Sequence, residues 1–246
     1  MSVLLLGGTA EARRLAELLV ADAVPVVTSL AGVVASGRRP PGEVRVGGFG
    51  GAPGLIGYLR EHGVTAVVDA THPFAAQVTA NAADACAQVG VPLLRLSRPS
   101  WAARADAASW HWVDTIADAR LAAEGLGARA FLAVGRQSLG EFADWTDRPV
   151  LARVVDVPNF AVPPTWEVLR ARGPFTLADE LTLLRSHHIE VLVAKDSGGS
   201  TDAKLDAAAE LGVAVVMVRR PALAAGVDVV ASVAEAAAWS RLGWRG

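Results

Sequence analysis

The chain has 246 residues, of which 52% are apolar, one is cysteine, and the formal net charge is −2. That much apolar content can bury a sizeable core and excludes a disordered chain, while a lone Cys86 excludes an internal disulfide. No run reaches the roughly 18 apolar residues of a membrane helix, and the small net charge offers no bulk attraction to nucleic acid or an anionic membrane.

The first apolar run, residues 3–6, stops at Gly7-Gly8, and a helical pattern over 10–22 follows, with Ala12, Leu15, Ala16, Leu18 and Leu19 at helical spacing. The run is too short and lacks the basic flank of a signal peptide, so a cytoplasmic protein is expected. Glycines let backbone approach a ligand, and a helix N-terminus offers unpaired N–H groups to a phosphate. The turn lacks the Gly-x-Gly-x-x-Gly fingerprint, having Thr9 and Ala12 where glycines are required, and can equally be a bare strand–helix corner. Strands are then predicted at 25–28, 44–46, 66–69 and 92–96, with helices at 53–61 and 74–89, an alternation typical of a parallel sheet covered on both faces.

Ligands in such sheets sit in the turns after the strands. After the second strand come Ser29-Leu30-Ala31-Gly32 and then Ser36-Gly37-Arg38-Arg39, with no acid before Glu43. Hydroxyls and arginines without an acid suit the 2′-phosphate of NADPH better than the ribose of NADH; the alternative is a solvated basic loop. Five glycines fall within residues 47–54, around Gly48 and Phe49, and mark either a close backbone approach or a flexible turn. In Asp69-Ala70-Thr71-His72-Pro73-Phe74, Thr71 can cap a helix and Pro73 suits its first position. His72 is thereby held at a strand's carboxyl end, where it can donate a proton, orient a ligand or serve only the helix start.

Residues 98–109 break the rhythm and read as a linker. A second series follows, with strands at 110–113, 129–134, 150–155, 190–194 and 214–218 and helices at 115–124, 139–145, 177–187 and 203–211. Residues 157–175 carry four prolines and no clear period, and read as a functional loop or lid without a strand of its own. Residues 112–119 and 229–236 echo each other: a short strand leads to Thr115 or Ser232, with Asp118 or Glu235 three residues on. They are either two ordinary helix starts or the matching ends of two related domains.

Two strand ends in this half place a cation beside glycine and small polar residues: Gly135-Arg136-Gln137-Ser138, and Lys195-Asp196-Ser197-Gly198-Gly199 running on to Lys204. The second is not a Walker A loop, because Ala203 precedes that lysine and Leu205 follows it. Arg95, Arg153 and Arg219 end or interrupt other strands. Such a set suits a ligand bearing many carboxylates, although each alone can be a surface charge. Beside His72, Asp196 is the other candidate proton donor. There is no Cys-x-x-Cys, no His-x-x-x-His and no Gly-x-Ser-x-Gly, and the adjacent His187 and His188 point apart, so no metal is expected.

Together these segments resemble the precorrin-6A reductase family of cobalamin biosynthesis. The carriers are Leu6-Gly7-Gly8-Thr9-Ala10-Glu11-Ala12, Ser29-Leu30-Ala31-Gly32, Val46-Gly47-Gly48-Phe49-Gly50-Gly51, Asp69-Ala70-Thr71-His72-Pro73-Phe74-Ala75, Arg95-Leu96-Ser97-Arg98-Pro99 with Trp101, and Lys195-Asp196-Ser197-Gly198-Gly199 with Lys204-Leu205. Val33 stands where that family leads one to expect an arginine, so the 2′-phosphate contact would fall to Arg38 or Arg39.

The resemblance implies an α/β protein of two Rossmann-like parallel-sheet domains, residues 1–97 and 110–246, with the active site in the cleft between them. The last strand and helix could pack on either sheet. It implies NADPH, held by Gly7, Gly8, Thr9, Glu11, Ser29, Gly32, Arg38, Gly48, Phe49, Thr71, His72 and Pro73. It implies a tetrapyrrole rimmed with acetates and propionates, bound by Arg95, Arg136, Gln137, Arg153, Lys195, Ser197, Gly198, Gly199 and Lys204, with His72 and Asp196 catalytic. One ring double bond would be reduced and the product handed to the next pathway enzyme. Two other readings stay open: an S-adenosylmethionine-dependent methyltransferase, which would want an acid where Thr28-Ser29 stands, and a non-catalytic two-domain ligand-binding protein.

Overall fold

The computed structural model describes residues 2–32, 39–223 and 226–242. The chain folds as two units, one of Met1–Arg98 with Pro221–Gly246 and one of Pro99–Arg220. Each holds a six-stranded, all-parallel sheet.

In the first unit the elements run β1 (Val3–Leu6), α1 (Ala10–Ala21), β2 (Val26–Leu30), β3 (Glu43–Val46), α2 (Gly51–Glu61), β4 (Ala66–Asp69), α3 (Ala76–Val89) and β5 (Leu93–Leu96). The sheet is completed by a strand from the far end of the chain, which leads into the last described helix. Strands alternate their side chains between faces, and both faces of β1 are covered. Val3 and Leu5 pack with Leu15 and Leu19 of α1, whereas Leu4 and Leu6 pack with Leu55 and Leu59 of α2 and Ala82 and Cys86 of α3. That two-sided burial explains the uninterrupted apolar run. Cys86 is buried in this second layer, and desolvation with the nearby Asp69 pushes its thiol up to about 12, so it stays a protonated core residue.

The second unit contains β6 (His111–Val113), α4 (Ile116–Glu124), β7 (Ala130–Ala133), β8 (Val150–Val154), β9 (Trp166–Arg170), α5 (Leu177–Ser186), β10 (Val191–Lys195), α6 (Ala203–Leu211) and β11 (Ala214–Val218). Phe131, Leu192 and Met217 of its sheet pack with Leu184 of α5, Leu205 of α6 and the two buried tryptophans Trp101 and Trp110. The chain then returns to the first unit as β12 (Asp228–Val230) and α7 (Val233–Ser240).

The strand orders are β3-β2-β1-β4-β5-β12 and β9-β8-β7-β10-β11-β6. The first five positions are one topology written twice, and each sheet carries a sixth strand at the same edge that lies outside the run of the other five. β6 precedes its sheet in sequence, and β12 reaches its sheet after the whole second unit. The echoed segments 112–119 and 229–236 are these two edge strands with their helices, capped by Thr115 and Ser232, whose hydroxyls accept from Asp118 N and Glu235 N. Such caps contribute about 1 kcal/mol each.

Four expectations are corrected. Residues 221–246 belong to the first unit, because β12 pairs with β5 and α7 packs on α1. Residues 98–109 are not a linker: they form two 3-10 turns, Trp101–Ala103 and Ala107–Ser109, and Arg104 ties them to Asp106, Asp202 and Asp206. The segment 157–175 contains β9, an edge strand paired in parallel with β8, because its prolines fall outside Trp166–Arg170. The helix expected at 139–145 is a 3-10 helix over Arg136–Phe142.

Candidate functional site

In each sheet the order reverses between two neighbouring strands, β1 and β4 in one and β7 and β10 in the other. Loops leave such a switch point in opposite directions and open a crevice at the strands' carboxyl ends. Most candidate residues fall at these two places.

In the first unit a row of paired positions crosses the sheet at that end: Arg45 opposite Ser29, Ser29 opposite Leu6, Leu6 opposite Asp69, Asp69 opposite Arg95. Next to it lies a cleft of about 180 Å³, whose walls include Gly7, Ser29, Gly48, Phe49, Leu55 and Thr71. Gly8 has φ +118° and Gly47 φ +115°, a region that favours glycine. A Cβ at Gly8, Gly47 or Gly48 would meet nothing within 4 Å, so the backbone there borders open space. Gly7 is different: its Cβ would press on Thr28 Cγ2 at 3.0 Å, so it serves close packing of the turn on β2. A bare backbone rim beside a helix N-terminus is the donor set a nucleotide diphosphate fits.

Thr9 caps α1, accepting from Ala12 N at 3.1 Å, and its hydroxyl donates to Ala70 O at 2.7 Å. It therefore ties the turn after β1 to the turn after β4 rather than holding its hydroxyl ready for a ligand. Glu11, in the first turn, is paired with Arg98 at 3.1 Å, and both line a smaller cleft with Thr9, Thr71 and Pro73. Gly32 is exposed, and Arg38 lies outside the described residues.

The turn after β4 is built on a buried ion pair. Arg95 Nη1 lies 2.6 Å from Asp69 Oδ1, and both side chains are at most 1% exposed. Asp69 also accepts from Thr71 N, Thr71 Oγ1 and Thr79 Oγ1, while Arg95 Nη2 donates to Thr71 O at 3.1 Å. The expectation that Arg95 binds substrate is corrected: its guanidinium is sealed under the turn and compensates Asp69. His72 stands exposed on this platform. Phe74 N donates to His72 Nδ1 at 3.2 Å, so in the neutral ring the proton sits on Nε2.

In the second unit Arg136 and Gln137 follow β7 and are exposed, while Lys195, Ser197, Gly198 and Gly199 follow the adjacent β10. Lys195 is half-buried, and desolvation lowers its pKa below the ordinary 10.5. Gly198 and Gly199 have φ of +64° and +76°. Arg153, near the end of β8, is paired with buried Glu180 at 2.8 Å and lies against the rings of Phe175 and Phe131. Lys204 is buried, donating to Thr201 O at 2.6 Å above the Trp101 ring.

Asp196 is not placed as a proton donor. Its carboxylate accepts from Ser100 Oγ at 2.6 Å and Trp101 N at 2.9 Å, and Arg220 Nε lies 3.2 Å away. Those contacts anchor residues 100–101 to the end of β10. Among the described residues, no group of three or more His, Cys, Asp or Glu is arranged to hold a metal ion, and no helix is long and apolar enough to cross a membrane.

Two features escaped the sequence reading. One is the Asp69–Thr79–Arg95 network, since nothing local links a strand-end acid to an arginine 26 residues away. The other is Arg45, whose side chain folds back over the glycine turn: Nη1 donates to Gly47 O and to Ser29 Oγ (3.4 Å), and Nη2 donates to Gly48 O (2.9 Å). The guanidinium carbon lies 3.9 Å from the centre of the Phe49 ring. A charged residue inside a short strand beside five glycines was the available signal.

The family model described as precorrin-6x reductase CbiJ/CobK matches residues 2–241 of the chain. A precorrin-6A reductase of Rhodococcus erythropolis is 52% identical over 239 residues, covering 96% of each chain. A cobalt-precorrin-6A reductase of Priestia megaterium is 32% identical over 233 residues, covering 89% of this chain and 90% of that one. The solved structure of CobK precorrin-6A reductase superimposes with a TM-score of 0.89 at 42% identity, over 100% of this chain and 99% of the other.

Proposed function

The chain belongs to the precorrin-6x reductase family and is a reductase of a carbon–carbon double bond; we propose that it reduces precorrin-6A, or its cobalt form, with NADPH. The observation that carries the cofactor reading is the open backbone rim formed by Gly8, after β1 at the β1/β4 switch point, and by Gly47 and Gly48, after β3. A dinucleotide needs such a rim to bring its phosphates to the N–H groups of α1.

When bound, NADPH supplies a hydride to one carbon of the double bond, and the neighbouring carbon takes a proton. The protein's part is to position and to exclude water. The first turn of α1 holds the phosphates. The buried Asp69–Arg95 pair fixes the Thr71-His72-Pro73 turn beside the crevice. His72 then orients the reacting end through Nε2. Arg136, Lys195 and the Ser197–Gly199 amides receive substrate carboxylates at the β7/β10 switch point, where a charge-assisted bond is worth about 1.5–3 kcal/mol.

The direct test mixes the protein with NADPH and either precorrin-6A or cobalt-precorrin-6A and follows the absorbance of the reduced cofactor. Loss of that absorbance only with a macrocycle present is expected. Failure to bind NADPH would favour a methyltransferase, and binding without oxidation a non-catalytic binder; either result overturns the reading.

A further inference from the structure

We propose that Arg45 is the residue by which this chain distinguishes NADPH from NADH, by receiving the 2′-phosphate. The inference rests on the NADPH reading above. In a sheet of this order the adenosine ribose lies at the end of β2. Here β2 ends at Ser29-Leu30 with no acid beside it, and the residue paired with Ser29 on β3 is Arg45. A phosphate monoester at that place needs a hydroxyl and a cation with more than one N–H to give.

Ser29 supplies the hydroxyl and Arg45 the cation. Its three hydrogen bonds, to Gly47 O, Gly48 O and Ser29 Oγ, use three of a guanidinium's five N–H donors and leave two. None of those partners carries a charge, and among the described residues no carboxylate lies within ion-pair distance of Arg45. The nearest acid on its own strand, Glu43, acts electrostatically on Tyr58, as Arg45 does, without bonding to Arg45. The guanidinium thus has no ion-pair partner among the described residues, while the two glycine carbonyls and the Phe49 ring hold it in place. A fixed guanidinium without an ion-pair partner, beside a hydroxyl and the cleft behind Gly48 and Phe49, is preorganised for a dianion. Ordering cost is then small, and binding gains accordingly. Of the arginines read from sequence, Arg38 lies outside the described residues and Arg39 is exposed.

The test is a calorimetric titration of the wild type, Arg45→Gln and Arg45→Lys with NADPH, NADH, 2′,5′-ADP and 5′-AMP, with no macrocycle present. The wild type is expected to bind NADPH at least tenfold more tightly than NADH. Arg45→Gln should lose at least tenfold for NADPH and 2′,5′-ADP and under twofold for NADH and 5′-AMP. Arg45→Lys, which keeps the charge and loses the fork, should fall between. Equal wild-type affinities for NADPH and NADH would overturn the NADPH reading and this inference with it. A preference retained in Arg45→Gln would overturn the assignment of Arg45 alone. Equal loss of both dinucleotides in Arg45→Gln and Arg45→Lys would also overturn it, because the arginine would then only shape the glycine turn.

Discussion

Asp69 and Arg95 occupy paired positions on adjacent parallel strands, and their charged groups meet at 2.6 Å inside the protein. Burying two ions is costly unless their remaining bonds are satisfied; here Thr71 and Thr79 bond both carboxylate oxygens and the two Nη groups, and Arg95 Nε alone is left without a partner among the described residues. Removing one partner strands the other. Arg95→Met is expected to destabilise the protein by about 3–5 kcal/mol in urea unfolding. The double variant Asp69→Leu with Arg95→Met should recover much of that loss. A fully stable single variant with weakened macrocycle binding would restore Arg95 to the substrate side.

Gly48 isolates ligand contact from backbone strain, because its φ lies outside the left-handed region and a Cβ there meets open space. Gly48→Val should change unfolding free energy by no more than about 0.5 kcal/mol and weaken NADPH binding at least tenfold. Gly54→Ala is the contrasting control. Its Cβ would stand 1.7 Å from Phe49 O, so the backbone must shift, at about 1–3 kcal/mol. Normal NADPH affinity in Gly48→Val would place the nucleotide elsewhere.

His72→Asn keeps an acceptor for the Phe74 amide while removing the Nε2–H. If His72 acts by orientation, turnover should fall by less than about a hundredfold, with most of the effect on cofactor affinity. Loss of an obligatory proton donor costs a factor of about a hundred or more. A larger fall, with affinity intact and the acidic limb of the pH profile gone, would make His72 the acid.

Arg136 and Arg153 should separate. Arg136 is exposed, so Arg136→Ala should leave stability unchanged and weaken macrocycle binding by about 1–3 kcal/mol. Arg153 neutralises buried Glu180, so Arg153→Ala should destabilise the fold by about 3 kcal/mol or more. Isothermal titration beside urea unfolding distinguishes the two; equal stability of both variants would show that the Arg153–Glu180 pair carries no structural load.

Lys195 has a pH signature. Its folded pKa lies below the ordinary 10.5, so between those two values the unfolded chain binds more protons than the folded one. Stability therefore rises with pH across that window, as the cost of burying the charge disappears. Wild-type stability measured relative to Lys195→Met should increase on going from pH 7 to pH 10. A pH-independent difference would show that Lys195 carries no desolvation cost.

The strand–glycine turn–helix opening, the βα alternation and the helix caps at Thr115 and Ser232 were legible because each is written within a dozen residues, whereas the cap expected at Thr71 is corrected: α3 begins at Ala76 with Ala75 at its N-cap, and Thr71 bonds Asp69 instead. So were the glycine rim and the cations after β7 and β10, whose positions follow from where an apolar run stops. β9 was missed because a five-residue edge strand shows little periodicity among prolines, and only pairing with β8 defines it. The chain's own sequence thus determined the kinds of element, their order and the turns that carry polar groups. Strand partnership decided the rest: it sent β12 back to the first sheet, set Asp69 beside Arg95 and laid Arg45 against Ser29. Periodicity and capping are local energies that a short window expresses, whereas register depends on which distant apolar faces close over one another, and only the folded chain brings those faces together.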